Sequence, residues 1–428
     1  MSATTSKLHI RWTRLGLIVF IAYSLAYIDR ANYGFGAAAG MARDLNITAN
    51  ASSLLGALFF LGYFFFQVPG ADYAERRSAK RLMFWSLIIW GLLSAGLGLI
   101  NNIYLLYVDR FLLGVSESVV LPGMIVFLSH WFTRPERSRA NNIVILGAPL
   151  TLLYMSVASG YLIQYFGWRG MFIIEGLPAL IVAFIWWRLV DDLPAQASWL
   201  PAQDRDALEA TLRAEQHDIK PMRNYAEAFR SPIVLLLFAQ NFFWLIGVFG
   251  FLIWLPSILK HGTTVNMAGI GWLAAAPFLA AAVASFTNSM VSDRVGTRKM
   301  FIWPYLMIGA VAFYASYLLG STNYWLSYAL LIVVGGALWA PYGPYFAFIT
   351  EVLPRNVAGG ALGLINSAGA LGSFVGTYFV GALNAATGGP GLSYLFMAVA
   401  LVLSGVITML VPVRVQAPAM SGAIDVPI

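Results

Sequence analysis

Four charged residues sit inside stretches that otherwise read as membrane helix: Asp29 and Arg30 in the first apolar run, Arg110 and Glu117 in the fourth. A charge at mid-bilayer costs about 2.5–3.5 kcal/mol on insertion scales, so such groups mark a pathway rather than packing. Arg110 and Glu117 are two turns apart on one helix face, about 10 Å along the axis. Asp29 projects about 100° away from Arg30 and cannot neutralise it head-on. Two guanidiniums and two carboxyls suit a site that handles an anion together with protons. A guanidinium grips a carboxylate through two parallel hydrogen bonds, which an ammonium cannot do. A carboxyl at mid-membrane can serve as a reversible proton site. Arg110 is the expected counter-ion for Glu117 or Asp29. Two plainer readings stand beside this one: Arg30 snorkelling to the headgroups, and a permanent salt-bridge network joining the four.

The elements that must carry these residues are helices in a bilayer. Of 428 residues, 59% are hydrophobic and 11% charged, with mean hydropathy +0.73. Soluble domains carry about 25% charged residues. Without Cys, no disulfide or thiolate metal site can form, and His9, His130, His217 and His261 are scattered, so no metal and no cofactor are expected. No nucleophile–base constellation and no phosphate-cradling loop appear, which argues against an enzyme and against ATP drive. The net charge of +7 has a membrane explanation and is not a nucleic-acid signal. The first apolar run follows Lys7, Arg11 and Arg14, continues past Gly34 and is too long for a signal-peptide core.

Runs of about 20 mainly apolar residues fall near 15–37, 52–73, 82–101, 104–130, 140–164, 169–189, 233–258, 267–290, 300–319, 322–350, 357–383 and 391–412. An all-α integral membrane fold with twelve transmembrane helices is expected. Residues 1–190 form an N-terminal six-helix bundle, 191–232 a cytoplasmic linker with a short amphipathic helix (Ala202 to Gln216), and 233–428 a C-terminal six-helix bundle. All Lys and Arg except Arg30, Arg43, Arg110, Arg169 and Lys260 fall on one side of this arrangement. The positive-inside rule makes that side, with both termini, cytoplasmic.

The two halves repeat. Ala71-x3-Glu75-Arg76-x-Ser78-x-Lys80 follows the second span and Ser289-x3-Asp293-Arg294-x-Gly296-x-Arg298 the eighth, 218 residues on. Arg137-Ser138-Arg139-Ala140 and Arg355-Asn356-Val357-Ala358 stand at the same offset. Gly114/Pro122 and Gly336/Pro344 occupy matching places in the fourth and tenth spans. Parallel halves related by an axis along the membrane normal are a transporter architecture.

With these landmarks the chain resembles the major facilitator superfamily over nearly its full length. The two Asp/Arg loops are similar to that superfamily's signature, Gly-x3-Asp-Arg-x-Gly-x-Arg/Lys. The second copy departs at Ser289; the first departs at Ala71, Glu75 and Ser78. Tyr27-Ile28-Asp29-Arg30-Ala31-Asn32, Arg110-x3-Gly114-x2-Glu117-x4-Pro122-Gly123, His130-Trp131-Phe132 and Gly167-Trp168-Arg169-x-Met171-Phe172-Ile173-x-Glu175-Gly176 resemble motifs of its anion:cation symporter family. Ala31-Asn32-Tyr33-Gly34-Phe35, the run from Ser53 to Tyr63, and Tyr342-Gly343-Pro344 are similar to bacterial 2-ketogluconate transporters.

The resemblance implies proton-coupled symport of a sugar-acid anion, 2-ketogluconate or a similar aldonate or ketoaldonate, into the cytoplasm by alternating access. It implies proton coupling at Asp29 and Glu117 with Arg110, and a substrate carboxylate at Arg30. Tyr27, Tyr63, Asn366, Tyr342 and Tyr345 are candidates for recognising hydroxyls, each with a plainer reading as a wall residue. Glu75, Arg76, Asp293, Arg294 and Arg298 are expected to gate by holding the halves together on the cytoplasmic side. Ala148-Pro149 stands where relatives can carry an amide. The expected partners are a small organic-acid anion, H⁺ and the lipid bilayer, with no nucleic acid; the expected state is a monomer in the inner (cytoplasmic) membrane. Energetics favour coupling, since an anion entering against about −100 mV is opposed by about 2.3 kcal/mol, which one proton cancels. Alternatives are symport of another organic acid (tartrate, galactonate, phthalate or an aromatic acid, the last stacking on Phe59, Phe60, Phe64 and Phe65) and a non-transporting membrane sensor.

Overall fold

The computed structural model describes residues 11–217, 231–320, 322–353 and 355–412. Both termini and the basic residues Lys7, Lys220, Arg223, Arg230 and Arg414 lie outside the described residues, as do the side chains at 355–360 that carry the Arg355–Ala358 landmark. Twelve spanning helices are present among the described residues. They are α1 Leu17–Ala38, preceded by a π-helical turn Trp12–Gly16, α2 Ala49–Arg76, α3 Ala79–Leu97, α4 Ile103–Ser118 continuing as Val120–Trp131, α5 134–166, α6 168–189, α7 Pro232–Gly262, α8 Met267–Val295, α9 Trp303–Gly320, α10 Tyr324–Trp339 continuing as Tyr342–Val352, α11 Arg355–Thr387 and α12 Gly391–Leu410. The linker holds a helix at Ala202–His217, one residue longer than the expected segment. No strand occurs among the described residues.

Local sequence explains where these helices start and break. Thr48, Ser78, Asn102, Asn266 and Asn323 each accept a backbone N–H in the first turn of the helix that follows. The Thr133–Glu136 capping box opens α5. Gly167 separates α5 from α6 at φ 69°, a left-handed conformation that costs glycine little. The interruptions in α4 and α10 were not expected from the apolar runs. They fall at Val119 and at Ala340–Pro341, one turn before Pro122 and Pro344. Proline lacks the N–H for that turn and crowds the carbonyl four residues back. The same interruption in both halves is the structural counterpart of the Gly/Pro repeat.

The helices are apolar on nearly every face because they meet protein on one side and lipid on the other. Trp85, Phe184, Trp272, Val311 and Trp325 are exposed on the outer wall, while Trp90, Phe127, Trp186, Trp244 and Phe313 fill the interior. α2 against α11 and α5 against α8 carry most of the contact between the first six and last six spans, with α1 against α7 alongside. Small residues permit this approach. A Cβ at Gly34 would overlap the Ile253 carbonyl, one at Gly381 the Ser53 hydroxyl, and one at Gly160 would sit 2.6 Å from the Met267 carbonyl. Phe60 of α2 meets Phe249 of α7 edge-on at 4.7 Å. The glycine contacts lie late in α1, α5, α7 and α11 and early in α2 and α8, so the two halves close together at the end remote from Trp12.

Candidate functional site

The charged centre is built by α1, α2 and α4. α2 and α4 are drawn together where Gly62 meets the Phe111 carbonyl and Gly114 meets the Phe59 carbonyl. That approach places Tyr63 beside Arg30 of α1 and Glu117 of α4. Arg30 Nε donates to Glu117 Oε2 at 3.0 Å, and Nη2 donates to the Tyr63 hydroxyl at 3.3 Å. The guanidinium also lies over the Tyr27 ring at 4.9 Å and the Tyr63 ring at 4.7 Å, a cation–π arrangement that supplements the ion pair. Arg30 is 5% exposed and Glu117 fully buried. Removing either partner would strand a buried charge, a loss of about 3–5 kcal/mol.

Arg110, expected as the counter-ion of Glu117 or Asp29, makes no direct bond to either. It is fully buried, all three of its side-chain nitrogens lack a hydrogen-bond partner, and its guanidinium lies against Tyr33 at 5.0 Å and Phe59 at 5.3 Å. Its influence on Asp29, Asp109 and Glu117 is through space. The reason is rotational: α1 turns Arg30 toward α4, and Arg30 takes the free face of Glu117. Asp29, on the other side of α1, accepts from Ser94 of α3 and from Asn32 Nδ2 at 3.2 Å, while its Oδ2 is buried without a partner.

The remaining candidates divide. Tyr27 and Tyr63 belong to the Arg30 cluster. Tyr342 of α10 lies within electrostatic reach of Arg30 and Tyr27 across the two halves and packs on Trp244 at 4.5 Å. Tyr345, by contrast, is buried with its hydroxyl committed to the Leu237 carbonyl at 3.0 Å, beside Trp244. Asn366 Nδ2 of α11 donates to Gln67 Oε1 of α2 at 2.5 Å, a bond that bridges the halves. Of the aromatic run, Phe59 and Phe60 are buried, whereas Phe65 is 56% exposed on the wall.

The gating residues lie at the other end, away from the charged centre. Arg298 bonds Asp293 at 2.5 Å and Glu351 at 2.9 Å, all within the second half. Arg76 pairs with Asp72 at 2.6 Å, and Glu75 and Arg294 are exposed. No ion pair joins the two loop copies among the described residues. In the first half the anchoring acid is Asp192, which accepts from Ser78 and from the Lys80 backbone N–H at 2.7 Å.

Sequence reasoning gave no role to Asp109, Gln67, Ser94 or Glu175, all buried. Asp109, Gln67 and Glu175 were readable as isolated polar residues in apolar runs, and Gln67 follows Tyr63 by four residues, on the same helix face. Ser94 carried no such signal.

The Major Facilitator Superfamily profile matches residues 19–269 and 255–423. The chain is 29% identical over 404 residues to the protein named "Putative tartrate transporter" of Agrobacterium vitis, covering 93% of this chain and 89% of that one. It is 28% identical over 407 residues to the quinolone resistance transporter of Acinetobacter baumannii, covering 92% of each. Among solved structures, the inward open xylose transporter XylE from E. coli superposes with TM-score 0.76 at 14% identity, covering 94% of this chain and 96% of that one. The two profile matches together span the twelve helices and their duplicated landmarks, and the chain therefore belongs to the Major Facilitator Superfamily, as a multi-pass integral membrane transporter and not an enzyme.

Proposed function

We propose that the protein is a proton-coupled symporter that carries a sugar-acid anion, 2-ketogluconate or a related aldonate or ketoaldonate, into the cytoplasm. The observation that carries this reading is the buried Arg30–Glu117 ion pair at 3.0 Å. One guanidinium there faces a choice between two carboxylates. While Glu117 is ionised it occupies Arg30. Once Glu117 takes a proton, Arg30 is left uncompensated, and a substrate carboxylate replaces the lost charge. Substrate and proton thus bind together by linkage, each raising affinity for the other. Arg110 adds a second buried positive charge beside these acids, which opposes a further proton until the incoming anion offsets it.

Tyr27 and Tyr63 flank Arg30 and Tyr342 stands within its electrostatic reach; the three supply hydroxyl groups for a polyhydroxylated acid, with Gln67 and Asn366 as amide partners between the halves. The aromatic-acid reading is weaker, because Phe65 faces the wall and Phe59 is covered by Arg110. The relative named for tartrate supports a hydroxylated carboxylate as the class of cargo. In this reading residues 1–190 and 233–428 are the two moving bundles, the membrane is the inner one, and both termini are cytoplasmic. The closed end is then periplasmic and the described state faces inward. Rocking apart at the Gly34, Gly381 and Gly160 contacts opens the other side. The Asp/Arg loops then meet across the cytoplasmic end.

Vesicle uptake tests the proposal. An imposed inward proton gradient should drive uphill accumulation that an uncoupler abolishes. Competition among aldonates, ketoaldonates, tartrate and aromatic acids ranks the cargo. Uptake indifferent to both pH gradient and uncoupler would remove the proton from the account.

A further inference from the structure

Glu175 of α6 is a buried carboxyl that the ion-pair cycle does not use. It is 7% exposed. Ser159 of α5 donates to its Oε1 at 2.5 Å, and its Oε2 is buried with no partner. Asn32 and Asp29 of α1 both act on it electrostatically. Asn32 is itself 1% exposed; its Nδ2 donates to Asp29 at 3.2 Å, and its Oδ1 has no partner. Asp29 Oδ2, Asn32 Oδ1 and Glu175 Oε2 are thus three buried acceptor oxygens without a partner, and the Phe172 ring against Gly36, one turn from Glu175 and from Asn32, packs α6 on α1 here.

Among the described residues Glu175 forms no ion pair, and its one side-chain bond is to Ser159. α3 meets α6 where Gly91 and Ala95 touch Gly176, and brings Ser94, which is committed to Asp29. α5 brings Ser159. Arg110 of α4 acts on Asp29. Arg169, on α6 itself, is bonded to the Gly98 and Ile100 carbonyls and to Asn101. Buried acceptors without donors are costly. A proton shared by the two carboxyls supplies a donor among these acceptors.

We propose that Glu175 is a third proton-carrying carboxyl, which exchanges a proton with Asp29 while the Asn32 amide swings its N–H bond from one to the other. One O–H bond breaks at Glu175 as one forms at Asp29, so the proton moves between the two sites while the total charge of the pair is unchanged. Ionised Asp29 accepts from Asn32 and Ser94 and leaves the proton on Glu175. Neutral Asp29 releases the amide, and ionised Glu175 accepts from Asn32 and Ser159. The step rests on the proton-coupled reading above and adds a reservoir behind the Arg30 site.

The test compares wild type with Glu175→Gln, which keeps shape and a donor but cannot exchange a proton. In vesicles, substrate counterflow should stay within about twofold while gradient-driven accumulation falls about tenfold or more, with a flattened pH profile. Glu175→Gln that accumulates like wild type, with the same pH profile, overturns the proposal and leaves the symport reading standing. Wild type that shows no gradient-driven accumulation overturns both. Infrared difference spectra of purified protein give an independent readout upon adding gluconate or 2-ketogluconate. Two carboxyl C=O bands should change with opposite sign, one of them missing in Glu175→Gln. If that variant does not fold, the wild-type spectrum decides alone, and the absence of an opposed pair of bands sinks the proposal.

Discussion

Replacing Glu117 by Gln keeps the side-chain shape and deletes the charge that occupies Arg30. In the wild type an incoming carboxylate must displace the 3.0 Å Arg30–Glu117 bond inside a site that is 5% exposed at Arg30 and closed at Glu117. A hydrogen bond to a charged group contributes about 1.5–3 kcal/mol. Sparing the substrate that competition therefore tightens binding about tenfold to a hundredfold, at a pH where wild-type Glu117 is ionised. The sign of the pH effect follows: wild-type affinity strengthens as pH falls and Glu117 is neutralised, while Glu117→Gln binds at one affinity across the range. Uphill accumulation disappears, yet counterflow persists. Without ligand, the stranded Arg30 destabilises the fold by about 3–5 kcal/mol, so the melting temperature drops and substrate restores more of it than in wild type. Binding is read from intrinsic tryptophan fluorescence or calorimetry. A Glu117→Gln protein that binds more weakly than wild type, or still concentrates solute against a proton-motive force, would refute the competition.

Other outcomes follow from the same geometry. Arg30→Lys keeps the charge but cannot bond Glu117 through Nε and Tyr63 through Nη2 together; KM should rise about tenfold or more with little change in folding, and a normal KM would remove Arg30 from the substrate. Gly34→Leu places a side chain where a Cβ alone would overlap the Ile253 carbonyl. It should hold the halves apart at their closed end and cut transport about tenfold or more; uptake at the wild-type rate would show that the two halves need not close there. Asp293→Asn removes one of two acids bonded to Arg298. It should favour the inward-facing state, seen as faster labelling of single cysteines placed along the inner ends of α4 and α10; unchanged labelling would take the loop out of gating.

Much of the architecture can be read from residue type because a bilayer demands long apolar helices, and the runs leave little freedom in where they begin. Gly167 could be placed between two spans for the same reason. The breaks at Val119 and Ala340 were hidden, although Pro122 and Pro344 cause them, since a proline one turn inside an apolar run can bend a helix or interrupt it. The charged centre was legible as a set of residues but not as pairs. Whether Glu117 meets Arg30 or Arg110 depends on how α1 is rotated against α4. That is fixed by the interlocking of Gly62 with Phe111 and Gly114 with Phe59, a property of three-dimensional packing rather than of any one helix. Tyr345 illustrates the same limit: its position on α10 matched the cavity, yet the phase of the helix beyond Ala340 turns its hydroxyl onto Leu237. Glu175 and Asn32 lie more than a hundred residues apart, and only the packing of α6 against α1, with Phe172 on Gly36, brings them to act on one another.

The exchange of carboxylates at Arg30 has a direct signature in proton uptake by the purified protein. In weakly buffered detergent solution at neutral pH, adding 2-ketogluconate or the best-bound acid should draw protons from the medium in proportion to binding, as a pH-indicator dye reports. Glu117→Gln should bind the same acid with that uptake sharply reduced. Binding to wild type with no accompanying proton, or equal uptake in Glu117→Gln, would contradict the account.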